Sequence, residues 1–366
     1  MTSSIEADLT LDDLRKTRLA IEHCFDAGWT DGMPVVPPIP EFVDEFLAQT
    51  KRDPEDVLCE ASHLNRVCTV RDAAANALMA GCKPEYFPTF VAVVEAFNGI
   101  GPVMSQSTTG RAYAIIINGP VRQKIGVNCS GNILGPGDRA NSTIGRALRL
   151  VLMNVFDIRP HDLDQSTHGT PGKYSICVGE NEEESPWEPL HVQYGFPRDA
   201  STVTIQQCRS TLHVDHRTTQ VPEEILYTIA RSMSYPGHAT ASSNATGRAG
   251  AGPRTPGIEL PGDGVAHGSV VVLGPEHARF MGEAGWSKQD VRQFLFDHWG
   301  NTARELRLCG GELREIKGRD YPDDTFIGAS SDPDTIKVIV AGANNAGESS
   351  LLHGLGRHSG PVLIEE

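Results

Sequence analysis

No stretch of this 366-residue chain approaches the roughly 18 consecutive apolar residues that a membrane-crossing helix requires. The start, MTSSIEADLTLDDLRK, lacks the basic opening and apolar run of a secretory signal. Both absences point to the cytoplasm. Positive charge is also scarce: 32 basic side chains stand against 47 acidic ones, a formal net charge of -15. Such a field repels phosphate backbones and anionic lipid, which sets aside nucleic acid and membrane as general partners but leaves room for a local basic pocket. The eight cysteines form neither a CxxC pair nor a dense framework, the pattern of free thiols in a reducing compartment. No Walker lysine follows the glycine-rich loop and no GxGxxG fingerprint is visible, so no nucleotide cofactor is expected. HExxH and the GxSxG elbow are missing too.

What is present is a succession of short apolar runs that end in glycine and proline. Helical spacing covers residues 10–28, an extended Pro34 to Pro40 follows, and Glu41 opens a short helix. Val70 to Phe97 reads as two packing helices separated at Gly81 and Pro84. Tyr113 to Ile117 is a strand followed by Asn118-Gly119-Pro120, and Tyr174 to Val178 a second, shorter one. The pieces IIINGPVRQKIG and VVVLGPEHARFMG match in order and nearly in length, which suggests an internal duplication. A further strand, in DTIKVIVAG, runs into a glycine-rich turn, with Ser349 and Ser350 placed to cap a following helix. Continuous apolar strands alternating with helices define an α/β fold: covered mixed or parallel sheets with flanking helices, in two related α/β units. The expected division places residues 1–195 in an N-terminal domain with a Gly/Arg-rich anion-binding loop. Residues 196–366 form the second, with a Gly/Pro-rich segment, 239–264, as linker or lid.

Four constellations could carry chemistry. In GNILGPGDRANSTIGRALRL, a glycine-rich loop opens a helix whose start offers Arg139, Asn141, Ser142, Thr143 and Arg146 as a seat for a carboxylate or phosphate. Lys173 adds a nearby cation, and Asn344 and Asn345 mark a second binding loop that would face the first. Downstream of a short strand, Glu180, Glu182 and Glu183 are candidate proton-transfer or metal-binding groups, with Glu184 expected to be solvated. In LHVDHR, strand alternation puts His213 and Asp215 on one face and His216 on the other. Convergence at the strand end would make all three ligands of a divalent metal. Cys129, beside the proposed anion seat, is the candidate nucleophile, and His168, His191, His353 and His358 are candidate acids or bases.

The phrases TDGMPVVPP, AGCKPEYFP, NGPVRQKIGVN, GPGDRANSTIGRALRL, PGKYSICVGENEEESPWEPLH and LGPEHARFMGEAGWSKQDVR resemble a poorly characterised bacterial family. Its genes often neighbour those of the UGSC family of small (seleno)proteins. The resemblance runs from Thr30 to about Gln293 and implies a metabolic enzyme working beside a thiol- or selenol-bearing partner protein, whose Ser-Cys signature this chain lacks.

These readings converge on a metal-assisted hydrolase or lyase acting on a small carboxylated or otherwise anionic metabolite. Two alternatives stand beside it: a Cys129-dependent lyase or transferase, and a non-catalytic partner subunit of a thiol or selenol enzyme. Apolar helices such as Phe90 to Phe97 offer a face for a homodimer.

Overall fold

The computed structural model describes residues 10–106, 108, 110–234, 268–308, 322–330, 332–354 and 358–365. Helices α1 (Leu11–Asp26) and α2 (Pro40–Leu47) precede an antiparallel ribbon of β1 (Val57–Ala61) and β2 (Arg66–Thr69). Thr69 then caps α3 (Val70–Ala80), its hydroxyl accepting from the Asp72 amide while the Asp72 carboxylate accepts from the Thr69 amide. Gly81, at φ +90°, ends that helix, and α4 (Phe87–Ile100) follows.

A first α/β unit comprises β3 (Ala112–Asn118), α5 (Val121–Lys124), α6 (Arg139–Asn154), β4 (Cys177–Gly179), α7 (Leu190–Gln193) and β5 (Thr202–Cys208). After β6 (Ser210–Asp215) and α8 (Pro222–Met233), the second unit runs through β7 (Ser269–Leu273), α9 (Pro275–Glu283) and α10 (Lys288–His298). It continues past β8 (Gly300–Thr302), α11 (Ala303–Leu308) and β9 (Phe326–Gly328) to β10 (Ile336–Val340) and β11 (Glu348–His353), and β12 (Val362–Leu363) closes the chain.

The two units repeat one strand plan. In the first sheet β3 is parallel to β4 and antiparallel to β5; in the second β7 is parallel to β10 and antiparallel to β11. Both β3 and β7 end at a Gly-Pro turn that starts a helix, as the matching peptides suggest. Each unit then sends its next strand into the other sheet: β6 pairs with β11, and β12 pairs with β5. Both sheets are therefore mixed, in the orders β12-β5-β3-β4 and β10-β7-β11-β6. Strand β5, which lies beyond the expected boundary at 195/196, is paired along its whole length with β3, so the first sheet draws on both halves of the chain.

Alternation along the strands shows how the sheets are covered. Ala112, Ala114 and Ile116 of β3 pack with Val270 and Val272 of β7 and Ile339 of β10, so the sheets meet face to face. The opposite faces carry Ile115 and Ile117 toward α3, α4 and α6, and Val271 and Leu273 toward α8, α9 and α10. The result is four layers, helix-sheet-sheet-helix, in which every central strand is buried on both sides, each Ile or Val contributing about 1.5–3 kcal/mol. Among the described residues no helix is long and apolar enough to cross a membrane.

Two expectations need correction. Ser349 and Ser350 do not cap a helix, because Glu348–His353 is a strand hydrogen-bonded on both edges. Leu351 and Leu352 enter opposite cores, which only an extended backbone allows. The short strand expected at Tyr174–Val178 begins at Cys177, and Tyr174 is exposed. The Gly/Pro-rich segment 239–264 lies outside the described residues.

Candidate functional site

The acidic cluster after β4 is a closed network. The Glu180 carboxylate is fully buried and accepts from Asn118 Nδ2 at 2.6 Å, from the Leu190 amide at 2.8 Å and from Lys288 Nζ at 3.3 Å. Glu182 accepts from the Gly119 amide at 2.7 Å and pairs with Arg122 at 3.2 Å. Glu183 takes both ends of the same guanidinium at 3.1 Å, which holds its carboxyl below the usual range. Arg122 also donates to Gly119 O and Glu180 O. Two cations thus serve three carboxylates: Glu180 and Glu182 are buried where they fix the turn after β3, and Glu183 stays half-exposed beside Arg122. Glu184 is exposed, as expected.

Cys129 is half-buried, its sulfur 3.9 Å from Arg122 Nη1. Burial raises its thiol pKa; Arg122 works against that rise and Glu183 with it. The thiol reading therefore has an expected outcome: iodoacetamide should modify Cys129 more slowly near neutral pH than a free thiol, with the rate climbing as pH rises. Rapid modification near pH 7 would identify an activated thiolate instead.

Most side chains of the expected anion seat at the start of α6 have partners within the protein. Asp138 occupies the N-cap position but accepts from Asn128 Nδ2 at 2.7 Å and from none of the helix's own N–H groups. Asn141 is buried and splints two backbone stretches, accepting from the Asn128 amide and donating to Asn128 O and Cys177 O. Thr143 bonds back to Arg139 O, Ser142 extends the helix ladder to Asp138 O, and Arg139 donates to Gly81 O. Arg146 grips Asp31 through two bonds at 2.9 and 2.8 Å and holds the carbonyls of Met33 and Pro34, which fixes the extended segment before α2. Lys173 is likewise spent on Asp164, at 2.8 and 2.6 Å. A sequence cannot show which arginines will meet an acid.

Loop convergence is nevertheless real. The glycine-rich loop at Gly131–Gly135 and the turn at Ala341–Ala346 line one cavity of about 400 Å³, with His213 and Asn345 on its wall. Asn344 lines a different pocket, together with Glu183 and Glu184. His213 and Asp215 share a face of β6, but Asp215 is paired with Arg217 at 2.9 Å and His216 contacts Thr218. Among the described residues no group of three or more His, Cys, Asp or Glu side chains is placed to hold a metal ion. His168 is exposed, whereas His191 and His353 are buried.

A second cavity, about 740 Å³, opens along the free edge of β10. Lys337 is part of its lining, 2% exposed, and its Nζ has no hydrogen-bond partner. Burial, with Arg292 nearby, lowers its pKa from 10.5 to about 7. One wall is the first turn of α10, where Lys288 and Arg292 stand four residues apart on one face. Lys288 is neutralised by Glu180, so the acidic network behind the cavity positions this wall. Arg292 shares Nη1 with the exposed Asp334 at 3.0 Å, while its buried Nε is unpartnered. Tyr194 and His358 also line the cavity; desolvation raises the pKa of the Tyr194 hydroxyl and lowers that of His358. His358 is among the candidate acids or bases of the sequence; Lys337 and Arg292 are not. The signal for Lys337 was there: a lysine inside the apolar run IKVIV.

No protein-family model, curated protein or solved structure matches the chain.

Proposed function

We propose that the chain is an enzyme of the hydrolase or lyase type that acts on a small carboxylated metabolite in the cavity along β10. One observation carries the reading: Lys337 lines this cavity, and its buried amine has no protein group to bond. Leaving a polar atom in that condition costs about 1–3 kcal/mol, and a bound ligand would remove the cost. Arg292 supplies an unsatisfied guanidinium N–H for a carboxylate. Lys337, unprotonated in an appreciable fraction near neutral pH, supplies a base or nucleophile.

Thermal unfolding in the presence of acetate, lactate, pyruvate, succinate and citrate tests this directly. At least one acid should raise the unfolding midpoint of the wild type, and the rise should vanish in Lys337→Met and in Arg292→Met. A wild type indifferent to all five, or a rise that survives both substitutions, would overturn the assignment of the site.

A further inference from the structure

A lysine whose task is to hold an anion is best left charged and solvated. Lys337 is placed otherwise: it is withdrawn from water, given no carboxylate of its own, and set near a second cation. Lys288 is matched by Glu180 and Arg292 by Asp334, so a proton on Lys337 would be the one uncompensated charge among these three. Such surroundings favour the free amine, the form that attacks an electrophilic carbon. Beside it Arg292 keeps a buried N–H without a partner.

We infer that Lys337 is a nucleophile that forms an imine with the carbonyl carbon of a small 2-oxo acid whose carboxylate is held by Arg292, an inference that rests on the cavity being the reaction site. The amine lone pair of Lys337 makes the new C–N bond, and the carbonyl π pair moves to oxygen, which takes a proton. The nitrogen then gives up its two protons as the carbinolamine oxygen departs as water. Amine and ketone thus give imine and one water, with no change of oxidation state. Tyr194, a hydroxyl in the lining of the same cavity with its pKa raised by desolvation, is a candidate donor for the departing oxygen. An imine withdraws electrons from the adjacent carbon, which suits bond cleavage of the lyase kind.

Trapping tests the step. The protein is incubated near neutral pH with pyruvate or with glyoxylate and sodium cyanoborohydride, lactate serving as the control that has a carboxylate but no carbonyl. The expected result is one N-carboxyethyl or N-carboxymethyl group per chain, mapped by peptide mass spectrometry to Lys337. It should be absent in Lys337→Met and strongly reduced in Arg292→Met, while lactate leaves no adduct. If neither oxo acid labels Lys337 above the other lysines, yet carboxylates still stabilise the protein through Lys337 and Arg292, the imine is overturned and the cavity reading stands. If neither labelling nor stabilisation occurs, both fail together.

Discussion

Replacing Lys337 with methionine is expected to stabilise the protein, and to do so most strongly at low pH. The amine binds a proton in the unfolded chain up to about pH 10.5, but in the folded chain only below about pH 7. Between those values folding releases a proton, so wild-type stability rises with pH across that window. The full cost is present below about pH 7, where 3.5 pH units at about 1.4 kcal/mol each set an upper bound of ~5 kcal/mol. Charged neighbours enter from every side: Arg292 and Lys288 from α10, Asp332 and Asp334 from the turn before β10, His358 from the C-terminal segment, and Tyr194 after α7. Methionine matches the length of the stem and removes the ammonium. Urea unfolding of both proteins from about pH 6 to about pH 10 should show the variant ahead by a few kcal/mol at the acid end, with the gap narrowing as pH rises. A gap that is reversed, or that ignores pH, would mean that Lys337 is compensated in the folded chain. Stability withheld at one position for the sake of a reactive group is a common trade at functional sites.

Lys337 marks the limit of what the sequence shows. The strand around it was legible because IKVIV and its neighbours are β-branched and apolar, and the Gly-Pro turns announced two related units. Strict alternation would have set Lys337 and Ile339 on one face and Ile336, Val338 and Val340 on the other. Nothing local tells whether that face meets water or a second sheet. The same limit hid the exchange of β6 and β12 between the sheets, since pairing partners more than a hundred residues apart leave no mark in either peptide. Ser349-Ser350 was read as a helix start because Ser favours caps, yet two flanking strands outweigh that preference.

The charged residues were harder. Gly131 to Gly135 and Ala341 to Ala346 do meet around one cavity, as turn chemistry suggested. Arg139 and Arg146 suit an anion by residue type and by their place at a helix start, and Lys173 by residue type, yet each donates to a protein acceptor. Glu180 was chosen from its place after a strand, an address that fitted, but its role follows from what surrounds it.

Glu180→Ala is therefore expected to be the most damaging single change, costing about 3–5 kcal/mol. It would leave the Lys288 ammonium, whose side chain is only 6% exposed, with the Glu188 carbonyl alone and the Leu190 N–H without its acceptor, while Asn118 would keep only its bond to Glu182. Glu180→Gln should lose less, about 1–3 kcal/mol, because its amide oxygen can still accept from Asn118 and Leu190 while its NH₂ turns toward Lys288. Lys288→Met in the Glu180→Ala background should recover part of the loss by removing the stranded charge, a coupling that a double-mutant cycle reads directly. A proton-transferring glutamate would behave differently: Glu180→Gln would keep its stability and carboxylate binding and lose turnover alone. The buried pair predicts that both stability and carboxylate binding fall together, since Leu190 and Lys288 are held by Glu180 on one side and line the β10 cavity on the other. Full stability in Glu180→Gln, with binding intact, would return the residue to the list of catalytic groups and move the reaction centre toward the turn after β4.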